Sequence, residues 1–229
     1  MDPRLKAIAD HALLVTFAEE ISDEAHGAVL ALDAALAARS PDGMIETVPA
    51  MVNLLVSFDP VVTDHEAMAT HVRSCLGAQV AARPAGTQRR VQVCYDDPFS
   101  PDLQAVSAAT GLTPEAVIDA HLTGNFRVLM YGFSPGYAYL AGVPDAIQVP
   151  RKSTPVRDVP AGSVIIAGPQ CLVTTLTTPT GWSIIGRSPT RILTGDPDAP
   201  FLFDVGDRVM FERIDAVTLA QLDKATDHG

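Results

Sequence analysis

Residues 132–162 constrain the fold of this chain more than any other part of the sequence. This stretch of 31 residues, GFSPGYAYLAGVPDAIQVPRKSTPVRDVPAG, contains five prolines, four glycines and three aromatic residues. Proline lacks a backbone N–H and fixes φ, and glycine loses much conformational entropy when it is ordered, so neither suits a helix or a central strand. The composition therefore predicts a shaped, loop-rich surface.

The basic residues are concentrated around this segment. Residues 125–195 carry six Lys and Arg side chains against two Asp, a balance of +4, whereas the rest of the chain carries ten basic and twenty-five acidic side chains, a balance of −15. We expect the local positive field to face an anionic ligand or an acidic partner surface. The net charge of −11 argues against a nucleic-acid-binding protein.

Composition also sets the class of protein. With 229 residues, 47% of them hydrophobic and 19% charged, the chain is predicted to be globular with a substantial core. It has no apolar run of membrane-spanning length and no secretory signal pattern. Cys75, Cys94 and Cys171 are odd in number and widely spaced, which favours buried thiols over a disulfide or a metal site. We therefore expect a cytoplasmic protein that binds no metal.

The first ninety-five residues alternate between strand and helix periodicity. Strands are predicted at residues 12–17, 44–48, 53–58 and 89–95. Helices are predicted to begin at Ser22 and Thr63, where capping residues precede apolar positions at helical spacing. The order βαββαβ predicts a ferredoxin-like α/β sandwich. The polar segment AARPAGTQRR, residues 81–90, predicts a hinge, and we place the domain boundary between residues 88 and 89.

The second part, residues 89–229, has a different pattern. Two short helices are predicted where Ser100 and Thr113 are each followed by proline, a typical helix start. Beyond Asn125 the helical period disappears. Short runs rich in β-branched residues follow at 126–131, 163–167, 171–176, 182–185 and 208–211. The pattern predicts a small β-barrel with long loops.

Common catalytic motifs are absent from the sequence. There is no G-x-x-x-x-G-K-[ST] loop, so the chain is not expected to hold ATP in a P-loop of its own. Ser134 lies in GFSPG, which lacks the G-x-S-x-G order, and Pro135 removes the N–H that an oxyanion hole would use. His121 is a candidate acid or base because of its near-neutral pKa, although we favour a structural role at the end of a helix.

The remaining candidates belong to loops. Arg151 and Arg157 carry guanidinium groups suited to carboxylate or phosphate, and Lys152 adds a point charge. The same cations could instead pair with Asp145, Asp158 or other acidic residues. Among the aromatic residues, Phe133, Tyr137 and Tyr139 could line an apolar groove or belong to the barrel core, and Trp182 could be a core or a rim residue.

Four motifs of the second part are long and specific. They are GFSPGYAYL at 132–140, PRKSTPVRDVPAGSV at 150–164, GWSIIGRSP at 181–189 and GDRV at 206–209. Together they resemble the KipI / PxpB / allophanate hydrolase subunit 1 family. Tyr95 and the PDL of residues 101–103 also match this family. The resemblance covers nearly the whole chain and implies a cyclophilin-like β-barrel after the N-terminal α/β domain. Residues 168–175, GPQCLVTT, depart from the family's usual G-x-Q-T-G-x-Y-P.

The resemblance implies three functions. The favoured one is a subunit of an ATP-dependent 5-oxoprolinase, which opens 5-oxo-L-proline to L-glutamate with KipA/PxpC-type and PxpA-type partners. This chain alone would then be inactive and bind no cofactor, while the complex uses ATP. One alternative is a carboxyltransferase component of a biotin-dependent urea carboxylase or allophanate hydrolase-type system. The other is a KipI-like inhibitor of a sensor histidine kinase.

For the favoured function we predict a surface that binds a small carboxylate or lactam, or a partner subunit. A guanidinium group of Arg151, Arg157 or Arg187 would be the charge partner of the substrate. The predicted surface comprises Phe133, Pro135, Gly136, Tyr137, Arg151, Lys152, Arg157, Trp182 and Arg187.

Overall fold

The computed structural model describes residues 2–77 and 86–226. The chain divides into two compact units, Met1–Pro84 and Ala85–Gly229. Residues 81–85 of the predicted hinge lie outside the described residues. The predicted boundary between residues 88 and 89 falls inside a barrel strand, because Gln88 already pairs with Arg208.

The first unit is a four-stranded antiparallel sheet with two helices. Its elements are β1 (Arg4–Ile8), β2 (Ala12–Thr16), α1 (Asp23–Ala38), β3 (Met44–Pro49), β4 (Asn53–Phe58) and α2 (His65–Cys75). The strand order is β1-β2-β4-β3. Both helices pack on the sheet through one apolar cluster, in which Val15 and Leu54 meet Leu36 and Val72. Ser22 caps α1 as predicted, since its hydroxyl accepts from the N–H of Ala25 at 3.1 Å.

The predicted ferredoxin-like order βαββαβ differs from the observed order, which is ββαββα. The strand predicted at residues 89–95 does not join this sheet. Its place beside β2 is taken by β1, which pairs antiparallel with β2 across a three-residue connection. A local hairpin of this kind needs no long chain closure. β1 was missed because its mostly exposed residues show no regular alternation of buried and exposed positions.

The second unit contains a closed β-barrel. Its elements are β5 (Gln88–Cys94), α3 (Leu103–Thr110), α4 (Pro114–Leu122), β6 (Phe126–Tyr131), β7 (Ala138–Ala141), β8 (Val156–Val159), β9 (Ser163–Ala167), β10 (Gln170–Val173), β11 (Thr178–Thr180), β12 (Ser183–Arg187), β13 (Arg208–Ile214) and α5 (Ala216–Thr226). Seven strands close in the order β10-β7-β6-β13-β5-β12-β9. The prediction of a barrel is therefore confirmed.

A two-stranded ribbon, formed by β8 and β11, accompanies the barrel. It explains why all five residues of β9 are buried. Val164 and Ile166 face the barrel interior, whereas Ile165 packs in a separate cluster with Val159 of the ribbon and Trp182. In a strand that is covered on both faces, residues do not alternate between buried and exposed positions as they do in a half-exposed strand. This outer cluster forms the floor of the site described below.

Cys75, Cys94 and Cys171 are buried free thiols, as predicted. Within residues 2–77 and 86–226, no helix combines the length and the apolar character needed to cross a bilayer. The same residues contain no group of three or more His, Cys, Asp or Glu side chains that could hold a metal ion.

Candidate binding site

A pocket of about 280 Å³ lies where the β8–β11 ribbon meets the outer face of the barrel. Its lining brings together five of the predicted residues, which are Phe133, Tyr137, Arg151, Lys152 and Trp182. Ile165 and Leu172 of the barrel strands supply the apolar floor. The aromatic and cationic residues of the motif segments thus converge on one concave surface.

The sequence GFSPGY shapes one wall of this pocket through two consecutive turns. The N–H of Ser134 donates to the carbonyl of Gly132 at 2.9 Å, and Phe133 between them has φ +71°, which is the geometry of a γ-turn. The N–H of Tyr137 then donates to the carbonyl of Ser134 at 3.0 Å, with Pro135 and Gly136 in the central positions. Gly136 has φ +74°, as the third residue of a type II turn requires.

Phe133 is held at the pocket in a strained backbone conformation. A non-glycine residue in the left-handed region is strained, and such strain concentrates at functional sites. Its side chain is also 77% exposed and touches the ring of Tyr137 with a centroid distance of 5.3 Å. An exposed aromatic ring on a strained turn contributes little to the core, so we infer that it contacts a ligand or a partner.

Replacement of Phe133 with glycine tests this inference. Glycine relieves a backbone penalty of about 1–2 kcal/mol and removes little buried surface. We therefore expect the free energy of unfolding in urea to fall by no more than about 1 kcal/mol, while ligand binding or activity is lost. Phe133→Ala is the control, because it removes the ring and keeps the strain. A glycine variant that unfolds far more easily would instead assign the ring to the protein scaffold.

Arg151 supplies the free positive charge of the pocket. Its guanidinium carbon lies 5.4 Å from the centroid of the Trp182 ring, within the range of a cation–π contact. In the described ranges no carboxylate lies within ion-pair distance of Arg151, which is an exposed residue. The ring therefore orients the guanidinium group and leaves its N–H donors available to an anionic ligand.

Lys152 is anchored by a carboxylate, in contrast to its neighbour. Its ammonium group donates to Oδ2 of Asp102 at 2.6 Å, and the same oxygen accepts from the N–H of Ile184 at 2.7 Å. The backbone N–H of Lys152 donates to the carbonyl of Gly181 at 2.6 Å. Lys152 thus ties the motif segment to β12, and its acidic partner is Asp102, one of the other acidic residues that the ion-pair alternative allowed, rather than Asp145 or Asp158.

Tyr137 offers a buried hydroxyl group at this pocket. The residue is only 3% exposed, and its hydroxyl oxygen has no partner at hydrogen-bond distance among the described groups, the nearest polar neighbour being the Thr178 side chain of the same pocket lining. Burial raises the pKa of Tyr137, so the group remains a neutral O–H donor at physiological pH. Because a buried hydroxyl without a hydrogen-bond partner is unfavourable, a polar atom of a ligand would supply that partner.

Four other predicted residues lie elsewhere. Arg187 lines a second pocket, whereas Arg157 is exposed on β8 and lies outside both pockets. Pro135 and Gly136 are the central residues of the turn that ends at Tyr137, and they belong to the lining of neither pocket. The carbonyl oxygen of Pro135 accepts from the hydroxyl of Thr175 at 2.7 Å. The three arginines predicted as charge partners therefore do not converge.

His121 is buried completely inside the barrel unit and does not line the pocket. Nδ1 lies 2.8 Å from the hydroxyl of Tyr95, Nε2 lies 3.6 Å from Sγ of Cys171, and the ring contacts Phe126 and Phe211. Burial lowers the pKa of His121 to about 3. This position offers no support for the acid–base role and agrees with the structural alternative.

The depressed pKa of His121 predicts how stability depends on pH. His121 takes up a proton near pH 6.5 in the unfolded state but only near pH 3 in the folded state. The contribution of the neutral imidazole to the free energy of unfolding is therefore complete above about pH 6.5 and is lost as the pH falls toward 3. At pH 5 the loss in the free energy of unfolding amounts to roughly 2 kcal/mol, at 1.36 kcal/mol per pH unit below 6.5. Urea unfolding of the wild type and of His121→Gln at pH 7.5 and pH 5 measures it. Equal losses in both proteins would refute this origin of the pH dependence.

The pocket residues that belong to β11 were not predicted from the sequence. Thr178, Pro179 and Thr180 belong to β11, a strand of three residues that is too short for a periodicity signal. Asp102 was visible only as part of the PDL motif. The role of these residues depends on contacts between distant segments, such as Lys152 with Asp102, which a local pattern does not contain.

The fold and the pocket define an α/β protein in which a barrel unit carries an aromatic, cationic site on its outer surface. The family model described as "Carboxyltransferase domain, subdomain C and D" matches residues 3–203. The chain therefore belongs to this carboxyltransferase C and D family.

The curated relatives of this chain share one name. This chain is 36% identical over 223 residues to the 5-oxoprolinase B subunit of Bacillus subtilis (strain 168), and the match covers 92% of both chains. It is 34% identical over 172 residues to the 5-oxoprolinase B subunit of Escherichia coli O157:H7, covering 73% of this chain and 77% of the relative.

Solved structures share the fold. The crystal structure of TTHA0988 matches with a TM-score of 0.78 and 31% identity, over 90% of this chain and 40% of the longer one. The chain thus spans less than half the length of that protein. The urea carboxylase of Kluyveromyces lactis matches with a TM-score of 0.81 over 99% of this chain and 23% of that chain. At 15% identity this second match shows the fold alone.

Proposed function

We propose that this chain is the B subunit of a 5-oxoprolinase, which opens the lactam ring of 5-oxo-L-proline to give L-glutamate. Relatives with this name match up to 92% of the chain. The structural observation that carries the proposal is the pocket in which the guanidinium group of Arg151, without an ion-pair partner among the described residues, lies against Trp182 and shares the lining with the buried Tyr137.

The chemistry of the pocket suits this substrate class. The carboxylate of 5-oxoproline would accept hydrogen bonds from Arg151, and the flat ring would pack against Trp182 and the apolar floor. The hydroxyl of Tyr137 would donate to the lactam carbonyl or to the carboxylate. A volume of about 280 Å³ has room for a five-membered ring with one carboxylate. Arg157 and Arg187 would not contact this ligand.

The proposal assigns binding, rather than the whole reaction, to this chain. Resonance stabilises a lactam, so ATP would activate its carbonyl before ring opening. The sequence has no P-loop motif, and ATP would be used by the complex with KipA/PxpC-type and PxpA-type partners. The exposed ring of Phe133 and the ribbon residue Val156, which is 42% exposed, would then contact a partner at the pocket mouth.

Reconstitution tests this function. The chain is mixed with its KipA/PxpC-type and PxpA-type companions, ATP and 5-oxo-L-proline, and glutamate release is measured. We expect release from the full mixture and none from the mixture that lacks this chain, nor from this chain alone. Folded components that together release no glutamate would reject the proposal. Carboxyl transfer from carboxybiotin by the same components would favour the carboxyltransferase alternative instead.

A further inference from the structure

A second pocket, also of about 280 Å³, lies next to the Pro135–Gly136 turn. Thr175 and Leu193 belong to its lining. Thr175 donates its hydroxyl to the carbonyl of Pro135, and a Cβ added to Gly136 would lie 2.8 Å from Cδ2 of Leu193. The turn therefore lies against two residues of the second lining, whereas Phe133 and Tyr137 belong to the lining of the first pocket.

This second pocket contains a buried donor without a partner. Nε of Arg187, at the end of β12, is inaccessible to solvent and has no hydrogen-bond partner among the described groups. Arg191, an exposed residue, lines the same pocket. Because Nε is inaccessible, a ligand in the pocket would be bound by the terminal nitrogens of this half-buried guanidinium group, whose natural partner is a carboxylate or phosphate oxygen.

The pocket also contains a negative charge. Asp223 of α5 belongs to the lining, yet in the part of the chain that the structure describes it forms no ion pair with Arg187 or Arg191. Opposite charges that line one cavity without forming an ion pair with each other can together bind a ligand that carries both charges. A simple anion would be repelled by Asp223, whereas a zwitterion would satisfy both sides.

We propose that this second pocket binds an α-amino acid, with its carboxylate on Arg187 and Arg191 and its ammonium group toward Asp223. The inference rests on the proposed function, in which ring opening turns a lactam N–H into the α-ammonium group of glutamate. The first pocket would thus hold the lactam, which has no ammonium group. The second pocket would hold the amino acid.

Calorimetric titration of the full chain tests the proposal with L-glutamate, glutarate, which lacks the ammonium group, and inorganic phosphate. We expect glutamate to bind at least about 10-fold more tightly than glutarate or phosphate. Arg187→Gln should weaken glutamate binding at least about 10-fold. Asp223→Asn should weaken glutamate binding and leave glutarate binding unchanged or stronger. These factors correspond to the loss of one charged contact.

Arg151→Gln is the matched control, since it changes the first pocket and should leave glutamate affinity in the second unaltered. Asp223→Asn keeps the experiment decisive if Arg187→Gln does not fold, because Asp223 is a half-buried helix residue without an ion pair among the described groups. Glutamate that fails to bind, or that binds equally well to Asp223→Asn, overturns the proposal. Glutamate binding without turnover in the reconstituted complex would reject the proposed function and leave the amino-acid site standing.

Discussion

Replacement of Trp182 with alanine is expected to lower the free energy of unfolding by about 3–5 kcal/mol and to abolish activity of the complex. Trp182 is 6% exposed and packs with Ile165 and Leu172 in the cluster outside the barrel. Its ring also meets Tyr139 with a centroid distance of 6.0 Å and supports the guanidinium group of Arg151. Truncation would leave a cavity beneath the ribbon and release Arg151.

Trp182→Phe provides the control for this effect. Phenylalanine retains an aromatic face for Arg151 and fills part of the volume, so we expect a smaller loss of about 1–2 kcal/mol with some residual activity. Urea unfolding and glutamate release are measured on all three proteins. A loss below about 1 kcal/mol in Trp182→Ala would show that the ring is not part of a packed cluster.

Replacement of Asp207 with alanine is the second large effect we expect, at about 3–5 kcal/mol. This carboxylate, from the GDRV motif, is 2% exposed. It accepts hydrogen bonds from the N–H of Thr87 at 2.7 Å, the N–H of Asp204 at 2.9 Å and Nε of Arg89 at 2.8 Å. Alanine would leave these three donors without their acceptor where β5 begins to pair with β13.

Asp204→Ala is the matched control for Asp207. Its carboxylate lies 3.8 Å from a terminal nitrogen of the same Arg89, but its side chain is 85% exposed. We expect a loss of no more than about 1 kcal/mol, as for other exposed ion pairs. Equilibrium unfolding in urea compares the two variants. Equal losses would show that burial and the backbone donors do not determine the contribution of Asp207.

Much of the fold follows from local patterns in the sequence. β6 and β9 span the predicted residues 126–131 and 163–167, since short β-branched runs between glycine and proline residues identify barrel strands. Thr113 caps α4 by accepting from the N–H of Ala116 at 3.2 Å, with Pro114 at the first helical position. These features depend on neighbouring residues alone.

The predictions from the sequence fail for features that depend on which strands pair with each other. The run at residues 89–95 has a strand pattern, but its pattern does not reveal whether it pairs with β2 or with β13. Likewise, the sequence shows that Arg151, Arg157 and Arg187 are cations in motif segments, and only the fold separates them into a pocket, an exposed ribbon and a second pocket. His121 was ambiguous because its burial depends on Phe126 and Phe211.

The most direct test of the binding site is the kcat/KM of the reconstituted complex that contains Arg151→Gln. We expect kcat/KM for 5-oxo-L-proline to fall by about 10- to 100-fold, the effect of one lost charged hydrogen bond, while the Tm of the isolated chain stays within about 2 °C of the wild type. Lys152→Gln, which removes the contact with Asp102, should by contrast lower the Tm. An unchanged kcat/KM in Arg151→Gln would show that Arg151 does not bind the substrate.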